Sequence, residues 1–159
     1  MIRVVFICTA NICRSPMAEG LLRHHWKKWG QDQVTTGRRR LLVTSMGIQM
    51  ISGEPASPHA VAVCAEAGVD ISAHRSQALD SEELQRADLI LTMTRSHKNH
   101  LQLLAPSIKD KIFMLTCWPR ENPRRQSIPD PIGRSLQHYR KIFTLIDTHV
   151  TRIIPHLAL

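Results

Sequence analysis

Apolar and polar residues follow one another along this chain in two periods, one typical of buried strands and one typical of amphipathic helices. Residues 2–7 are apolar except for Arg3 and predict a buried strand, and residues 16–29 have apolar side chains at helical spacing and predict a helix. Further strands are predicted at 41–45, 88–93 and 111–116, and further helices at 57–67, 81–86, 94–104 and from 134 to about 154. Ser81 is the predicted N-cap of the helix at 81–86. This alternation predicts one α/β domain, 1–159, a three-layer α/β/α fold with a central four-stranded parallel sheet.

The segment that joins the first strand to the first helix has the sequence CTANICRSP, residues 8–16. Because Pro16 suits the first turn of a helix, we expect Cys8 at the carboxyl end of the strand and Arg14 near the helix N-terminus. Backbone N–H groups and the helix dipole attract an anion at such a place and favour the thiolate form of cysteine. The planar guanidinium of Arg14 can bind two phosphoryl oxygens at once. The segment therefore predicts a phosphate-binding loop after the first strand, with Cys8 as a nucleophile.

The remaining loop residues suit a tight turn around a phosphate. Thr9 and Ala10 are small, Asn11 tolerates a left-handed backbone, and the Ser15 hydroxyl can donate a hydrogen bond to the thiolate. The predicted phosphate-binding set is Thr9, Ala10, Asn11, Ile12, Cys13, Arg14 and Ser15. In the alternative interpretation Cys8 is a buried thiol packed as a small apolar side chain, with Arg14 on a solvated surface.

A second candidate for the chemistry is Asp130, in the sequence IPDPIG at 128–133. The prolines and Gly133 predict a shaped turn before the last helix. Hydrolysis of a phosphate ester needs a proton for the departing oxygen, and a carboxylic acid on a loop can supply it and later activate water. Asp-Pro steps are common in ordinary turns, so Asp130 is a candidate acid only in combination with Cys8 and Arg14.

The chain carries a formal net charge of +8, which raises the question of a nucleic-acid partner. Much of the charge lies in basic clusters at Arg23, Lys27, Lys28, Arg38, Arg39, Arg40, Arg120, Arg124 and Arg125. Almost no aromatic residues are interleaved with these clusters, so they offer no surface on which bases could stack, and we predict no nucleic-acid partner. Two interpretations stay open: a positive field that attracts phosphorylated, acidic proteins, or a set of solvated loops.

The cysteines and histidines do not form a metal-binding pattern. Cys8, Cys13, Cys64 and Cys117 lack paired metal-ligand spacing and the nine histidines are scattered, so neither a metal nor a cofactor is expected. The first apolar stretch is too short for a signal peptide or a membrane span. We therefore expect reduced thiols and a cytoplasmic protein that does not contact membranes. Cys8 and Cys13 lie on one curved loop and can meet under oxidation.

The motif at 8–16, together with Asp130-Pro131, resembles the low-molecular-weight protein-tyrosine phosphatase family. NICRSP directly after an N-terminal apolar strand is specific to that resemblance. The resemblance implies a phosphatase that uses Cys8, Arg14 and Asp130 as catalytic residues and passes through a cysteinyl-phosphate intermediate. A phosphorylated protein is the implied substrate.

The same resemblance implies supporting roles for Ser45 and His74, which match family positions that hydrogen-bond the loop asparagine, here Asn11. The alternatives are that Ser45 caps a strand end and that His74 is an ordinary turn residue. The family usually has glycine at the position of Ala10.

Substrate preference depends on the pocket walls. Family members that act on aryl phosphates have aromatic side chains where this chain has Ile132 and the region of Gln49 and Met50. A related branch removes phosphate from arginine, and segments 91–94 and 130–133 resemble it as well. That branch typically has threonine at the position of Ile12, so Ile12 favours phosphotyrosine over phosphoarginine.

Two further functions fit the motif less well. An arsenate reductase would need a relay of thiols, and Cys64 and Cys117 do not occupy the places where that family has them. A noncatalytic phosphate-binding or redox-sensing module would have no use for Asp130.

Overall fold

The computed structural model describes residues 1–32, 39–49 and 51–159. The elements in chain order are β1 (Ile2–Cys8), α1 (Arg14–Asp32), β2 (Leu41–Gly47), α2 (Pro58–Glu66), α3 (Ser81–Arg86), β3 (Leu89–Thr92), α4 (Arg95–Leu104), a 3-10 helix (Pro106–Lys111), β4 (Ile112–Met114) and α5 (Leu136–Leu157). No helix in these ranges combines the length and hydropathy needed to cross a membrane.

The strands form one parallel sheet in the order β2-β1-β3-β4. Because β1 lies inside the sheet, the loop that follows it opens at the carboxyl edge of the sheet, where parallel α/β proteins bind ligands. The predicted four-stranded parallel α/β fold is confirmed.

Side chains of β1 alternate between the two faces of the sheet. Val4, Phe6 and Cys8 belong to a core that α1, α2 and α5 cover, whereas Val5 and Ile7 belong to a core that α3, α4 and the 3-10 helix cover. Helices therefore lie on both faces, which gives the three layers and explains why β1 reads as a continuous apolar stretch.

Several bounds differ from the sequence-based prediction: α1, at Arg14–Asp32, and β2, at Leu41–Gly47, are longer, and β3, at Leu89–Thr92, is shorter. Two further differences have a clear local cause. The N-cap of α3 is Asp80, not Ser81, because the Asp80 carboxylate accepts a hydrogen bond from Glu83 N at 2.9 Å. The predicted strand 111–116 is reduced to Ile112–Met114, because the 3-10 helix precedes it and Cys117 N turns back to Met114 O at 3.0 Å.

The last helix also differs from the prediction. It begins at Leu136, because the Ser135 hydroxyl accepts from His138 N and so acts as its N-cap. It continues past residue 154 to Leu157, whose side chain is buried in the core beside α1 and α2.

Candidate active site

The loop between β1 and α1 wraps around the sulfur of Cys8. Cys8 Sγ lies 2.9 Å from Ser15 Oγ and accepts a hydrogen bond from Asn11 N at 3.2 Å. Asn11 Nδ2 donates to Ser15 Oγ at 2.8 Å, so the Ser15 hydroxyl proton is left to point at the sulfur. The Cys8 sulfur thus faces hydrogen-bond donors of its own loop and lies beside the N-terminus of α1, which begins at Arg14.

Asn11 holds the loop in shape. Its φ is 55°, in the left-handed region, and Ala10 is not in that region, so position 10 does not require glycine. Asn11 Nδ2 donates to Ser45 Oγ at 2.9 Å and Asn11 Oδ1 accepts from Gln77 N at 3.0 Å, while His74 Nε2 lies 2.6 Å from Asn11 O. The structure thus brings Ser45 and His74, the two supporting residues predicted from sequence, into contact with Asn11.

Arg14 is buried, with 3% of its surface exposed. Both terminal nitrogens of its guanidinium, Nη1 and Nη2, have partners. Nη1 donates to Ile128 O at 3.0 Å, and Nη2 donates to Thr9 Oγ1 at 3.4 Å and lies 3.5 Å from Asp130 Oδ2. Nε has no hydrogen-bond partner in the described part of the chain, although it is buried. A buried, unpartnered donor is costly, and a phosphoryl oxygen would satisfy it.

Asp130 lies on an exposed turn opposite the Cys8 loop. Its Oδ1 accepts from Ile132 N at 3.1 Å, and Arg134 N donates to Pro131 O, which closes the turn. Gly133 has a φ of 73°, a conformation that favours glycine. The side chain of Asp130 is 42% exposed, so a carboxyl group held here can exchange protons with water and with a ligand in the pocket.

These residues enclose a pocket of about 220 Å³. It is lined by Cys8, Thr9, Ala10, Ile12, Cys13, Arg14, Asp130 and Ile132. The side walls, Ile12 and Ile132, are aliphatic. Gln49 is exposed and its N donates to Thr9 O at 2.9 Å, so it lies beside the loop, whereas Met50 lies outside the described residues.

Several residues that contact this site were not predicted from the sequence, among them Gln77, which contacts Asn11, and also His97 and Glu19. His97 Nε2 lies 2.8 Å from Thr9 Oγ1, and Glu19 Oε2 accepts from the Ser45 hydroxyl at 2.5 Å. Burial, and then the charge of Arg14, lower the pKa of His97 to about 4. His97 is 88 positions from Thr9, and no spacing rule connects the two.

Cys13 belongs to a buried cluster behind the loop. Its Sγ donates to Ser57 Oγ at 3.3 Å and lies 3.3 Å from Tyr139 Oη. Burial is the main reason that the pKa of the Cys13 thiol is raised and that the pKa of Tyr139 rises to about 12. Cys64 and Cys117 are buried elsewhere and do not line the pocket, so they do not form a thiol relay with Cys8.

Comparisons with known sequences all match one family of phosphatases. The family model described as low molecular weight phosphotyrosine protein phosphatase matches residues 3–158. A protein of Ralstonia solanacearum named probable low molecular weight protein-tyrosine-phosphatase EpsP is 35% identical over 97% of this chain and 94% of its own length. The protein-arginine-phosphatase of Geobacillus stearothermophilus is 34% identical over 98% of this chain and 95% of its own length.

Solved structures agree with the sequence comparison. The low molecular weight protein tyrosine phosphatase from T. tengcongensis superposes with a TM-score of 0.87 at 36% identity, over 98% of this chain and 99% of that one. The two proteins therefore share one fold over nearly their full lengths.

Proposed function

Because this chain belongs to the low molecular weight phosphotyrosine protein phosphatase family, it is an enzyme that hydrolyses phosphotyrosine, and we propose that Cys8, Arg14 and Asp130 carry out the reaction. The observation that carries the proposal is that a sulfur, a buried guanidinium and a carboxylate line one small pocket at the carboxyl edge of the sheet. The three groups supply a nucleophile, an anion-binding fork and an acid.

In the first step the Cys8 thiolate attacks phosphorus in line with the ester oxygen. The S–P bond forms as the P–O bond to the leaving group breaks, and protonated Asp130 gives its proton to the departing oxygen. The Nε–H of Arg14 and the backbone N–H groups of the loop donate to the phosphoryl oxygens, where charge accumulates.

In the second step water attacks the phosphorus of the cysteinyl-phosphate. The Asp130 carboxylate accepts a proton from that water, the S–P bond breaks, and inorganic phosphate leaves with the thiolate restored. All the groups in this scheme are side chains or backbone atoms of the chain, and it uses neither a metal nor a cofactor.

The same reasoning gives the setting of the reaction. The substrate is a phosphorylated protein, and neither a nucleic acid nor a membrane takes part. A nucleophilic thiolate needs a reducing compartment, which supports a cytoplasmic location. The family match over 3–158 and the position of β1 in both cores support a single domain spanning 1–159.

Turnover of p-nitrophenyl phosphate and of a phosphotyrosine peptide tests the proposed residues. Cys8→Ser is expected to abolish turnover and to retain phosphate binding, and Asp130→Asn is expected to slow phenyl phosphate far more than p-nitrophenyl phosphate, whose leaving group departs without a proton. Cys117→Ser is the matched control, because it removes a buried thiol outside the pocket. Full activity of Cys8→Ser, or activity that is lost to a chelator and restored by a divalent ion, would contradict the scheme.

A protein-arginine phosphatase is the second candidate, because the Geobacillus stearothermophilus relative carries that name. The aliphatic wall at Ile12 favours phosphotyrosine instead, since an apolar side chain desolvates a phosphoguanidinium group without pairing it.

A further inference from the structure

We propose that His97 is a positioning residue for this reaction, which holds Thr9 so that the Thr9 hydroxyl keeps the Arg14 guanidinium oriented toward the phosphoryl group. The inference rests on the proposed function, and it concerns a residue outside the loop and the acid turn.

The contacts form an unbroken chain from α4 to the phosphate pocket. His97 Nε2 lies 2.8 Å from Thr9 Oγ1, and the same oxygen accepts from Arg14 Nη2 at 3.4 Å. His97 is only 8% exposed, and its own N donates to the Thr94 hydroxyl that caps α4, so its backbone is held in place. The ring is buried, and its Nδ1 has no hydrogen-bond partner among the described residues. The ring is thus a buried contact from a different element to the loop that holds Thr9.

The reaction itself explains why Arg14 needs this support. In the structure Nη2 has two oxygens nearby, Thr9 Oγ1 and Asp130 Oδ2. When Asp130 is protonated to act as the acid, it carries no charge and its proton is directed at the leaving group, so its attraction for Arg14 weakens. Thr9 Oγ1 is then the remaining partner of Nη2 among the described residues. Together with Ile128 O, which accepts from Nη1 at 3.0 Å, it fixes where the unpartnered Nε–H of Arg14 points.

A neutral imidazole suits this role. An imidazolium would place a second positive charge beside Arg14. Burial and the charge of Arg14 lower the pKa of His97 to about 4, so the ring is neutral at any pH well above 4. The neutral ring contacts Thr9 in either tautomer, as acceptor or as donor, while Thr9 Oγ1 still accepts from Arg14. Support for the guanidinium is therefore unchanged across the pH range in which the thiolate reacts.

The decisive variants are Thr9→Val, which replaces the hydroxyl with a methyl group of similar size, and His97→Ala. Each is expected to lower kcat for p-nitrophenyl phosphate about tenfold, with KM changed by less than about twofold, because the transition state depends on guanidinium orientation more than substrate binding does. The double variant is expected to be no slower than the slower single variant, because both changes break one chain of contacts.

Thr9→Ser keeps the hydroxyl and is expected to recover most of the kcat that Thr9→Val loses. His100→Ala is the control on the same helix, because His100 is exposed and lies one turn beyond His97. Thermal unfolding of each variant separates misfolding from mispositioning. If His97→Ala does not fold, His97→Phe, which keeps a buried ring and removes Nε2, takes its place in the comparison.

The proposal is overturned if a folded His97 variant or Thr9→Val retains the parent kcat, if Thr9→Ser is as slow as Thr9→Val, or if the two single effects multiply in the double variant. Failure of the proposed function looks different, because the parent protein would then hydrolyse neither p-nitrophenyl phosphate nor the phosphotyrosine peptide. In that case the role of His97 falls with it.

Discussion

Ile12 and Ile132 give the phosphate pocket aliphatic walls directly beside its charged floor. Ile12 lines the pocket and also packs against the core behind the loop, so its side chain has little freedom to move aside. An apolar, branched wall can lie against the flat ring of phosphotyrosine, whereas it removes water from a phosphoguanidinium group and gives no hydrogen bond in return. Ile12 is therefore the residue at which we expect the choice between the two substrates to be made.

Replacing Ile12 with threonine trims the wall and adds a hydroxyl near the position of a guanidinium. We expect Ile12→Thr to raise the ratio of kcat/KM for a phosphoarginine peptide to that for a phosphotyrosine peptide, by an amount equivalent to about 1–3 kcal/mol. Ile12→Val is the matched control, since valine has the shape of threonine without the hydroxyl. A parent protein that already prefers the phosphoarginine peptide would show that the role of Ile12 has been misjudged.

We predict that Cys13, which lines the same pocket as Cys8, protects Cys8 from irreversible oxidation. Peroxide converts the Cys8 thiolate to a sulfenic acid, and attack by Cys13 on that sulfur would release water and form a disulfide. We expect peroxide inactivation of the parent to be reversed by dithiothreitol and that of Cys13→Ser to be largely irreversible, as measured by recovered turnover. Cys117→Ser should recover as much turnover as the parent. If Cys13→Ser also recovers as much as the parent, Cys13 does not protect Cys8 and only packs in the core.

The contacts of Asn11 illustrate which parts of the site are predictable from sequence. A left-handed Asn11 and a bond from Ser15 to Cys8 follow from residue type within one short loop, and the structure has both. Gln77 and His97 contact the same loop from 66 and 88 positions away. Such contacts depend on how the elements pack, so they cannot be predicted from residue type or from spacing along the chain.

Helix α5 ties the chain after β4 to the rest of the protein. Arg152 Nη2 donates to Leu115 O at 2.9 Å and Nη1 donates to Trp118 O at 2.6 Å, and both Arg152 Nε and Nη2 lie within 3.3 Å of His149 Nδ1. His149 is buried, and burial followed by the charge of Arg152 lowers its pKa to about 4. A buried neutral histidine on this helix therefore makes stability depend on pH.

The sign of that dependence follows from proton binding. Between about pH 6.5 and pH 4 the unfolded chain protonates His149 and the native protein does not, so acidification lowers the free energy of unfolding, by up to about 3 kcal/mol for this group. In His149→Gln, whose amide oxygen can still accept from Arg152, we expect a weaker pH dependence in urea denaturation between pH 4 and 6.5. His97 titrates in the same range, so part of the dependence should remain.

Above about pH 7.5, where an ordinary histidine is neutral, His149→Gln and the parent should change in parallel with pH. An unchanged pH dependence of His149→Gln in the acid range would mean that His149 is protonated in the native state.

At the level of elements, the sequence predicted the order of strands and helices well because buried parallel strands are apolar on both faces. It failed where a local hydrogen bond decides an end, as at Asp80 and Ser135. Strand β4 ends early because Met114 O accepts hydrogen bonds from Cys117 N and Trp118 N, which form a turn. Hydrophobic periodicity does not predict such a turn.

Over the whole molecule, two of the basic clusters lie on segments that meet the sheet at opposite edges. Arg39 and Arg40 precede β2, and Ile2 N donates to Arg40 O at the amino edge of the sheet, away from the phosphate pocket. Arg124 and Arg125 are exposed on the segment that leads from the carboxyl end of β4 to the Asp130 turn. Arg38, the neighbouring member of the first cluster, lies outside the described residues.

This division predicts that the two pairs affect substrate capture differently. Charges within about 8 Å of an approaching substrate act at physiological salt, and more distant ones are screened. We expect the double variant Arg124→Gln/Arg125→Gln to have a severalfold lower kcat/KM for an acidic phosphotyrosine peptide, because the positive field at the pocket is weaker. The kcat/KM of this variant should also depend less on ionic strength. Arg39→Gln with Arg40→Gln removes the same charge from the far edge and should leave both quantities near the parent values. Equal losses in the two double variants would mean that net charge alone matters, and no loss in either would favour the interpretation of these arginines as merely solvated loops.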